Sequence, residues 1–439
     1  MKQHIFRDFF KYTSTNMIAM LGVSLYILAD TFFIARALGP VGLTALNFAI
    51  VIYSVIQGLG LMIATGGAID FSMRYSKGSE AGDKPFRHTL LLGAAFGLLC
   101  ILTGILLPEA ISRLLGADAQ TLGPTKTYIT LILWFAPVFI LNNILIAFVR
   151  NDQDPGLAMG AMIVSSLSNI VLDYFFMFPL GMGMFGAALA TGLSPLISIS
   201  ILLLHYRLRS SRFHLTNGPL ETSRLLRILQ LGVPSLITEL AASVTLFTFN
   251  LVILRLAGNL GVAAYGIIAN VAIIATALFT GLAQGIQPLA SQYHGKGQGA
   301  SLRTLLKLSL VFALAMAIGT ILVVFAWTTQ IAGIFNSQNN QELAAMAESG
   351  LKIYFTGFLF AGLNIVMITF LAATLRTRQA ILISVLRSSL ILIPAVLILS
   401  GLFQLKGVWG SFLFTELLVS LLTVLVSWRG SKGKPIARP

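Results

Sequence analysis

The stretch SLYILADTFFIARALGPVGLTALN, residues 24–47, decides the fold of this chain. It begins as an apolar run, carries one acid at Asp30, and passes through Gly39 and Pro40 into a second apolar run. An apolar run of about 20 residues is long enough to cross the hydrocarbon core of a bilayer as a helix. The stretch therefore predicts two membrane-crossing helices joined by a short turn, with a carboxylate inside the first.

The composition extends this prediction to the whole chain. Of the 439 residues, 56% are hydrophobic and only 10% are charged, and the mean hydropathy is +0.88. These values exclude a soluble globular protein of this length. The net charge of +14 does not indicate nucleic-acid binding, because the cations lie in short connections between apolar runs rather than on a soluble domain. The single cysteine, Cys100, lies within an apolar run and is expected to pack there.

The apolar runs predict an all-α integral membrane protein with twelve transmembrane helices. The runs lie near residues 12–37, 43–70, 88–107, 124–149, 156–178, 182–206, 231–257, 261–288, 304–328, 346–373, 378–400 and 405–428. With the amino terminus placed inside, 23 of the 29 basic residues fall on the inner side and six on the outer side. The positive-inside rule then places both termini in the cytoplasm.

The two halves of the chain are related in sequence. Residues 36–78 align without a gap on residues 255–297, and the matched positions include Gly39 with Gly258. Each half has six crossings, so both enter the membrane from the same side and form parallel repeats around a central cavity. The predicted divisions are an amino-terminal lobe, a cytoplasmic linker, a carboxyl-terminal lobe and a cytoplasmic tail, at residues 1–206, 207–230, 231–429 and 430–439.

Asp30 and Asp173 are acids within membrane-crossing runs. An ionised group at such a position needs a proton, a cation or a partner, and it marks a functional site by default. Neither acid recurs in the other half, because Asp30 falls opposite Phe249 and Asp173 falls opposite Leu397. Because the second half forms the same fold without these acids, a purely structural role does not explain them.

Further polar residues are expected beside the two acids. At 1.5 Å per residue, Asp30 lies roughly 12 Å and Asp173 roughly 9 Å below the outer surface. Thr191, on the inward-running sixth helix, is also roughly 12 Å deep, and Asn169 shares a helix face with Asp173. These oxygen-bearing side chains predict a site for a small cation such as Na⁺, or for a proton shared by the two carboxyls. The alternative is a protonated, hydrogen-bonded pair that only joins helices 1 and 5.

Other polar residues in the apolar runs are weaker candidates. Glu239, in the seventh helix, is either an acid that meets the exported cation or a neutral or paired acid near the interface. Glu416, in the twelfth, has no cation near it in sequence, which favours a structural role, and Asp70 is expected to pair with Arg74 at i,i+4. Five amide residues either line the cavity or bond between helices, which is the commoner role. They are Asn250, Asn270, Gln284, Gln287 and Asn364.

Four stretches spread over the chain carry a family resemblance. They are SLYILADTFFIARALGPVGLTALN (24–47), LNNILIAFVRNDQDPGLAM (141–159), SNIVLDYFFMFPLGMGMFGAALAT (168–191) and AQGIQPLASQYHGKG (283–297). Together they resemble the multidrug and toxic compound extrusion (MATE) transporters, in particular the DinF- and MepA-like bacterial branch. The resemblance implies two pseudo-symmetric lobes of six helices arranged as a V, and export of organic cations in exchange for H⁺ or Na⁺, without enzymatic activity or a cofactor.

The resemblance also implies a role for the buried acids. Asp30, Asn169, Asp173 and Thr191 are similar to the amino-lobe cation site of this branch. One feature departs from the family, because members with a proposed proton-driven bend of helix 1 carry a proline there, whereas residues 12–37 contain none. The expected partners are organic cations, the coupling ion and the lipid of the cell inner membrane, and the protein is expected to act as a monomer.

Three other classes of membrane protein fit the sequence less well. A lipid-linked oligosaccharide flippase of the same superfamily shares the two-lobed plan, but it needs a cationic cavity and the mid-membrane charges here are acidic. An intramembrane aspartyl protease also uses two buried aspartates, but it needs a GxGD element that the sequence lacks. A channel is disfavoured because no repeated filter segments are present.

Overall fold

The protein is almost entirely α-helical over the residues that the computed structural model describes. These are residues 2–75, 80–208, 211–215, 218–335 and 340–432. Within them, nine helices are long and apolar enough to cross a membrane, and two bent helix pairs bring the number to eleven. One of the nine, Thr377–Leu425, is broken at Gln404 (φ 51°), so the described chain has the twelve predicted crossings.

Six crossings form the amino-terminal half and are named helices 1 to 6. They are His4–Gly39, Val41–Arg74, Glu80–Leu106, the bent pair Leu122–Trp134 and Ala136–Asn151, Pro155–Met177, and Gly183–Leu208. A short helix, Pro108–Leu114, follows helix 3.

Helices 7 to 12 repeat this order in the second half. Helices 7 to 10 are Thr222–Gly258, Leu260–Gly295, Gly299–Ala326, and the bent pair Gln341–Thr356 and Phe358–Ala373. Helix 11 comprises Thr377–Val385, a π-helical turn at Leu386–Leu390, and the first part of Leu392–Lys432 up to Gln404. Helix 12 is the remainder of Leu392–Lys432, and the short helix Thr328–Phe335 follows helix 9.

The backbone breaks at matched positions in the two halves, which confirms the predicted repeat. Gly39 (φ 63°, ψ −151°) ends helix 1 and Gly258 (φ 60°, ψ −157°) ends helix 7 in the same left-handed conformation, which glycine adopts because it has no Cβ. Gln153 (φ 69°) and Leu375 (φ 62°) follow helices 4 and 10 in the same way. Helices 4 and 10 are themselves bent by 48° and 44°.

The two halves form lobes that meet at one end and separate toward the other. An apolar cluster around Ile34 and Ile132 contains residues of the first half only, and a cluster around Phe249 and Trp409 contains residues of the second half only. Three further clusters combine both halves. They lie toward the end where helix 6 is joined to helix 7, called the basic end below because most of the lysines and arginines lie there. The lobes therefore diverge from the basic end as a V.

Glycines allow the lobes to approach closely at the basic end. Gly66 on helix 2 lies so near helix 7 that an added Cβ would overlap the carbonyl of Ile228, and Gly232 on helix 7 is packed equally tightly against helix 2. Helices 1 and 8 form a second close contact, where a Cβ added to Gly285 on helix 8 would lie 2.7 Å from the Cα of Thr13 on helix 1. Small residues permit such backbone contact between helices in a membrane. These two contacts, between helices 2 and 7 and between helices 1 and 8, together form the seam between the lobes.

Two predicted boundaries differ from the structure. Helix 7 begins at Thr222, so the predicted linker at 207–230 is helical over its last third, and helix 1 begins at His4 rather than near residue 12. Counting apolar residues detects the part of a helix inside the bilayer, whereas a polar or amphipathic extension beyond the bilayer escapes it. Parts of the predicted first repeat and tail lie outside the described residues, at 76–78 and 433–439.

Candidate functional site

Helices 1 and 5 bring Asp30 and Asp173 to the same level. The two helices run in the same direction and touch where a Cβ added to Gly22 would lie 3.9 Å from Ser166 Oγ. From that contact, Asp30 is eight residues along helix 1 and Asp173 is seven residues along helix 5. Since both helices rise 1.5 Å per residue, both acids are about two turns further along. Their carboxyl groups interact electrostatically with each other.

Helix 6 adds Thr191 to this layer. Ser165 Oγ on helix 5 donates a hydrogen bond to the Ser194 carbonyl on helix 6 at 2.8 Å, which fixes the two helices side by side. Asn169 is one turn beyond Ser165, and Thr191 is nearly one turn before Ser194 on the antiparallel helix. With its amide nitrogen directed at the carboxylate, Asn169 donates to Asp173 Oδ2 at 3.1 Å, and its oxygen accepts from the Thr191 N–H at 3.3 Å.

All four residues of the predicted cation site are buried together. Asp30, Asn169, Asp173 and Thr191 are 8%, 1%, 0% and 6% exposed. Three of their oxygens, Asp30 Oδ1, Asp173 Oδ1 and Thr191 Oγ1, are buried without a well-formed hydrogen bond to any described residue. A buried polar atom without a partner is costly, so such atoms call for an explanation. A proton or a small oxygen-binding cation among these oxygens would satisfy them, and the residues present fit either ligand.

Tyr128 on helix 4 completes the site and was missed from the sequence. It is 3% exposed. Its phenol lies beside Thr191 and interacts electrostatically with Asp30 and Asp173. Tyr128 is six residues from the start of helix 4 at Leu122, roughly 9 Å along the axis. This depth is similar to that of Asp173, so residue counting along helix 4 places Tyr128 in the same layer.

A chain of hydrogen bonds begins one turn from Asp30 and extends through the first lobe. The hydroxyls of Tyr26 and Tyr53 lie 3.0 Å apart. Gln57 Nε2 donates to Tyr53 Oη at 2.8 Å, and Asn143 Nδ2 donates to Gln57 Oε1 at 2.9 Å. None of these four residues was singled out from the sequence. They give the wall of the first lobe, next to the layer that holds Asp30, a polar surface.

Glu239 faces the first lobe across the seam. A Cβ added to Gly58 on helix 2 would lie 3.6 Å from Glu239 Cβ, and the Glu239 carboxyl interacts electrostatically with Tyr53. About one turn farther from the basic end on both helices, Ser243 Oγ donates to Ser54 Oγ at 3.1 Å. Glu239 is partly buried and packs against helix 2 of the first lobe.

Glu416 and Asn364 belong to a closed polar cluster inside the second lobe. Arg387 Nε donates to Glu416 Oε1 at 2.7 Å, and Asn364 Nδ2 donates to Glu416 Oε2 at 2.7 Å. Ser420 Oγ donates to Asn364 Oδ1 at 2.9 Å. Arg387 lies in the π-helical turn Leu386–Leu390 of helix 11. Helix 11 thus supplies the cation that the sequence around Glu416 lacks. Each carboxylate oxygen has a partner, so the structural role favoured for Glu416 fits this geometry.

The remaining candidate amides divide into two pairs. Gln284 and Gln287 accept hydrogen bonds from the end of helix 4 at 2.7 and 3.0 Å, so both bond between the lobes. Asn250 and Asn270 are partly buried and make no side-chain hydrogen bond within the described part of the chain. Only the second pair stays available as cavity lining.

Asp70 contributes to the seam as well as to its own helix. It is fully buried and pairs with Arg74 Nε at 3.2 Å, as predicted from their spacing. Two arginines at the start of helix 7 also reach it, Arg227 Nε at 3.2 Å and Arg224 Nη1 at 3.6 Å. One carboxylate thereby ties the end of helix 2 to the second lobe.

Fold and site together define the class of protein. Twelve membrane-crossing helices form two repeated lobes around a cleft, with buried acids beside it, and this is the architecture of a secondary membrane transporter. A family model described as MatE matches residues 16–175 and 234–398, one match in each lobe. The chain belongs to the MatE family.

Known proteins resemble this chain along almost its whole length. The multidrug export protein MepA of Staphylococcus saprophyticus is 26% identical over 428 residues, which cover 97% of this chain and 94% of MepA. MepA of Staphylococcus aureus strain MSSA476 is 27% identical over 435 residues, with the same coverage. The predicted MepA-like branch is confirmed, and these relatives are transporters rather than enzymes.

Solved structures confirm the fold. One is an outward-facing multidrug resistance MATE family transporter of the MOP superfamily, with a TM-score of 0.91, 21% identity, and coverage of 96% of this chain and 95% of that one. Another is a mutant of the Vibrio cholerae MATE transporter VcmN, with a TM-score of 0.92, 19% identity and 99% coverage of both chains. The predicted two-lobed, twelve-helix architecture is that of these transporters.

Proposed function

We propose that this protein is a secondary active multidrug efflux antiporter that exports organic cations in exchange for H⁺ or Na⁺. Its similarity to the MepA multidrug export proteins supports the export of drugs. The exchange rests on one observation, which is that Asp30 and Asp173 are both buried in one layer of the first lobe, each with an oxygen that has no hydrogen-bond partner among the described residues. If the two acids only joined helices 1 and 5, we would expect these oxygens to have hydrogen-bond partners.

The chemistry of the acid pair supports ion coupling. Two neighbouring carboxylates in a low-dielectric site cannot both stay ionised without a counter-charge. H⁺ would neutralise one of them, whereas Na⁺ would be held by the oxygens of Asp30, Asn169, Asp173 and Thr191. In either case Asn169 keeps Asp173 Oδ2 in place, so the incoming ion meets Asp173 Oδ1 and Asp30 Oδ1.

The V arrangement suggests the order of events. The cleft opens away from the basic end, and we assign that side to the cell exterior. An ion that loads the acid pair favours an arrangement of helices 1, 5 and 6 that binds the organic cation less well, so the drug leaves. The loaded carrier then opens toward the basic end, releases the ion and accepts a new drug molecule. When one ion enters for each singly charged drug that leaves, no net charge crosses the membrane, so the concentration gradient of the ion drives export. A tenfold ion gradient provides about 1.4 kcal/mol and supports a drug gradient of about tenfold.

Orientation and assembly follow from the same features. We place both termini in the cytoplasm and the protein in the cell inner membrane, because the lysines and arginines concentrate at the basic end. Each chain contains both lobes and the whole cleft between them, so a monomer suffices for transport.

An ion-swap assay tests the proposal. The purified protein is reconstituted in proteoliposomes with a fluorescent organic cation inside, and either a pH gradient or a Na⁺ gradient is imposed. Drug efflux accelerated by external acid identifies H⁺ as the coupling ion, and efflux driven by Na⁺ at equal pH identifies Na⁺. Efflux that responds to neither gradient contradicts antiport.

A further inference from the structure

Arg150, the last residue but one of helix 4, is a buried cation that has no counter-charge among the residues that the structure describes. The residue is only 4% exposed. Nη1 donates to Asn16 Oδ1 on helix 1 at 3.0 Å and to Gln284 Oε1 on helix 8 at 2.7 Å. Nε is buried without a hydrogen-bond partner, and no carboxylate of the described residues lies within ion-pair distance of the guanidinium. Both partners are neutral amides, so they hold the charge in place without cancelling it.

The guanidinium lies in the seam between the lobes. The next residue, Asn151, accepts a hydrogen bond from Ser72 Oγ on helix 2 at 2.6 Å and donates to Gln287 Oε1 on helix 8 at 3.0 Å. Gln284 is eleven residues before the end of helix 8 at Gly295, or roughly 16 Å along the axis. Arg150 therefore extends from the basic end into the seam, toward the closed floor of the cleft.

The internal repeat shows that this helix end does not require an arginine. Gln153 and Leu375 share the same left-handed conformation after helices 4 and 10, which aligns the two helix ends with each other. In that alignment Arg150 corresponds to Ala372, which is equally buried at 4% exposed. The second lobe thus builds the same helix end with a methyl group. A packing requirement does not explain a buried charge in the first lobe alone.

We propose that Arg150 is the cation barrier of the closed seam. This inference rests on the proposed antiport, in which the cleft fills with H⁺ or Na⁺ and with organic cations while the seam separates it from the basic end. A fixed positive charge in a low-dielectric constriction repels every one of these ions, as arginines do in pores that exclude cations. Asp30 and Asp173 attract cations into the protein, and Arg150 prevents their passage until the lobes rearrange. Exchange stays strict because the uncoupled route is blocked.

Ion leak through the full-length protein tests this barrier without any drug. Proteoliposomes are given a K⁺ diffusion potential, and the uptake of H⁺ and of Na⁺ is recorded with indicator dyes. Arg150→Gln removes the charge but can still hydrogen-bond, and we expect its leak to rise on the order of tenfold. Asn16→Asp keeps the arginine and neutralises it in place, and it is expected to leak in the same way. Because Asn16→Asp keeps the arginine, this variant still tests the barrier if Arg150→Gln fails to fold.

Two variants that keep the charge serve as controls. Arg150→Lys preserves the cation, and Asn16→Ala removes one hydrogen bond but leaves the guanidinium charged, so both should stay as tight as the unaltered protein. The barrier is refuted if the variants Arg150→Gln and Asn16→Asp hold the ion gradient. It is also refuted if the controls Arg150→Lys and Asn16→Ala leak as much as those two variants. Drug exchange by the unaltered protein is measured separately, so a failure of antiport is seen there and not in the leak comparison.

Discussion

Arg387 Nε donates to Glu416 Oε1 at 2.7 Å, so the buried acid of the second lobe is neutralised inside the protein. Asp30 and Asp173 in the first lobe have no such cation among the described residues. Two kinds of buried acid therefore occur in one transporter, a closed pair in one lobe and an open pair in the other. This contrast allows coupling and structure to be separated by experiment.

Neutralising either acid of the open pair should abolish exchange. Asp30→Asn and Asp173→Asn keep the size of the side chain but remove the charge for which, in the proposed antiport, the coupling ion and the organic cation compete. Ion-driven drug efflux should therefore fall to the level of empty vesicles. Asp118→Asn, the same chemical change at an exposed position, is the matched control and should retain full efflux. Full efflux by either site variant would end the coupling proposal.

Breaking the closed pair should lower stability instead. Arg387→Gln leaves Glu416 buried without its cation, and loss of one partner of a buried pair costs about 3–5 kcal/mol. Thermal unfolding in detergent should show a lower midpoint. The double variant Arg387→Met with Glu416→Gln should recover much of the loss, because no lone charge remains. If Glu416→Gln stops exchange while the unfolding midpoint is unchanged, the second lobe carries the coupling.

Gly66→Ala should disturb the seam. The new methyl group would overlap the Ile228 carbonyl, so the lobes would be pushed apart at the basic end. Distances between spin labels at the ends of helices 2 and 8 should lengthen, and exchange should slow by about tenfold. Gly160→Ala on helix 5 is the control, because a Cβ there meets no atom within 4 Å. Unchanged label distances in Gly66→Ala would show that the seam tolerates the methyl group.

Glu239→Gln should weaken the binding of charged drugs. Glu239 packs against helix 2 and lies near Tyr53. We take its carboxyl to be the first acid that an exported organic cation meets. Loss of one ion pair of about 1.4 kcal/mol corresponds to a tenfold higher KM. The measurement compares a cationic substrate with an uncharged one of similar size, and only the first should be affected. Equal changes for both substrates would instead indicate a structural role.

The number of crossings and the grouping of four polar residues in one layer were accessible from the sequence for simple reasons. Bilayer thickness fixes the length of an apolar run, and the constant rise of a helix converts position into depth. Depth along the helices therefore groups Asp30, Asn169, Asp173 and Thr191 correctly in one layer. The lateral positions of helices are not encoded in this way, since they depend on packing among all twelve.

The ion-pair partners that escaped prediction come from another helix. Arg387 reaches Glu416 from helix 11, and Arg224 and Arg227 reach Asp70 from the other lobe. Their sequence separations carry no periodic signal, so a local pattern indicates only the Arg74 partner of Asp70. Left-handed backbone at a non-glycine residue and a π-helical turn likewise depend on tertiary context.

Helix 1 has no proline, and its backbone stays helical up to Gly39. It spans 36 residues from His4, or about 54 Å. One part of this stiff rod bears Asp30, and a part roughly 25 Å away bears Thr13, packed against Gly285. Without a joint between them, a tilt of about 5° at the acid shifts the far contact by about 2 Å over that length. We therefore expect ion binding at Asp30 to move the contact between Thr13 and Gly285 at the opposite face of the membrane.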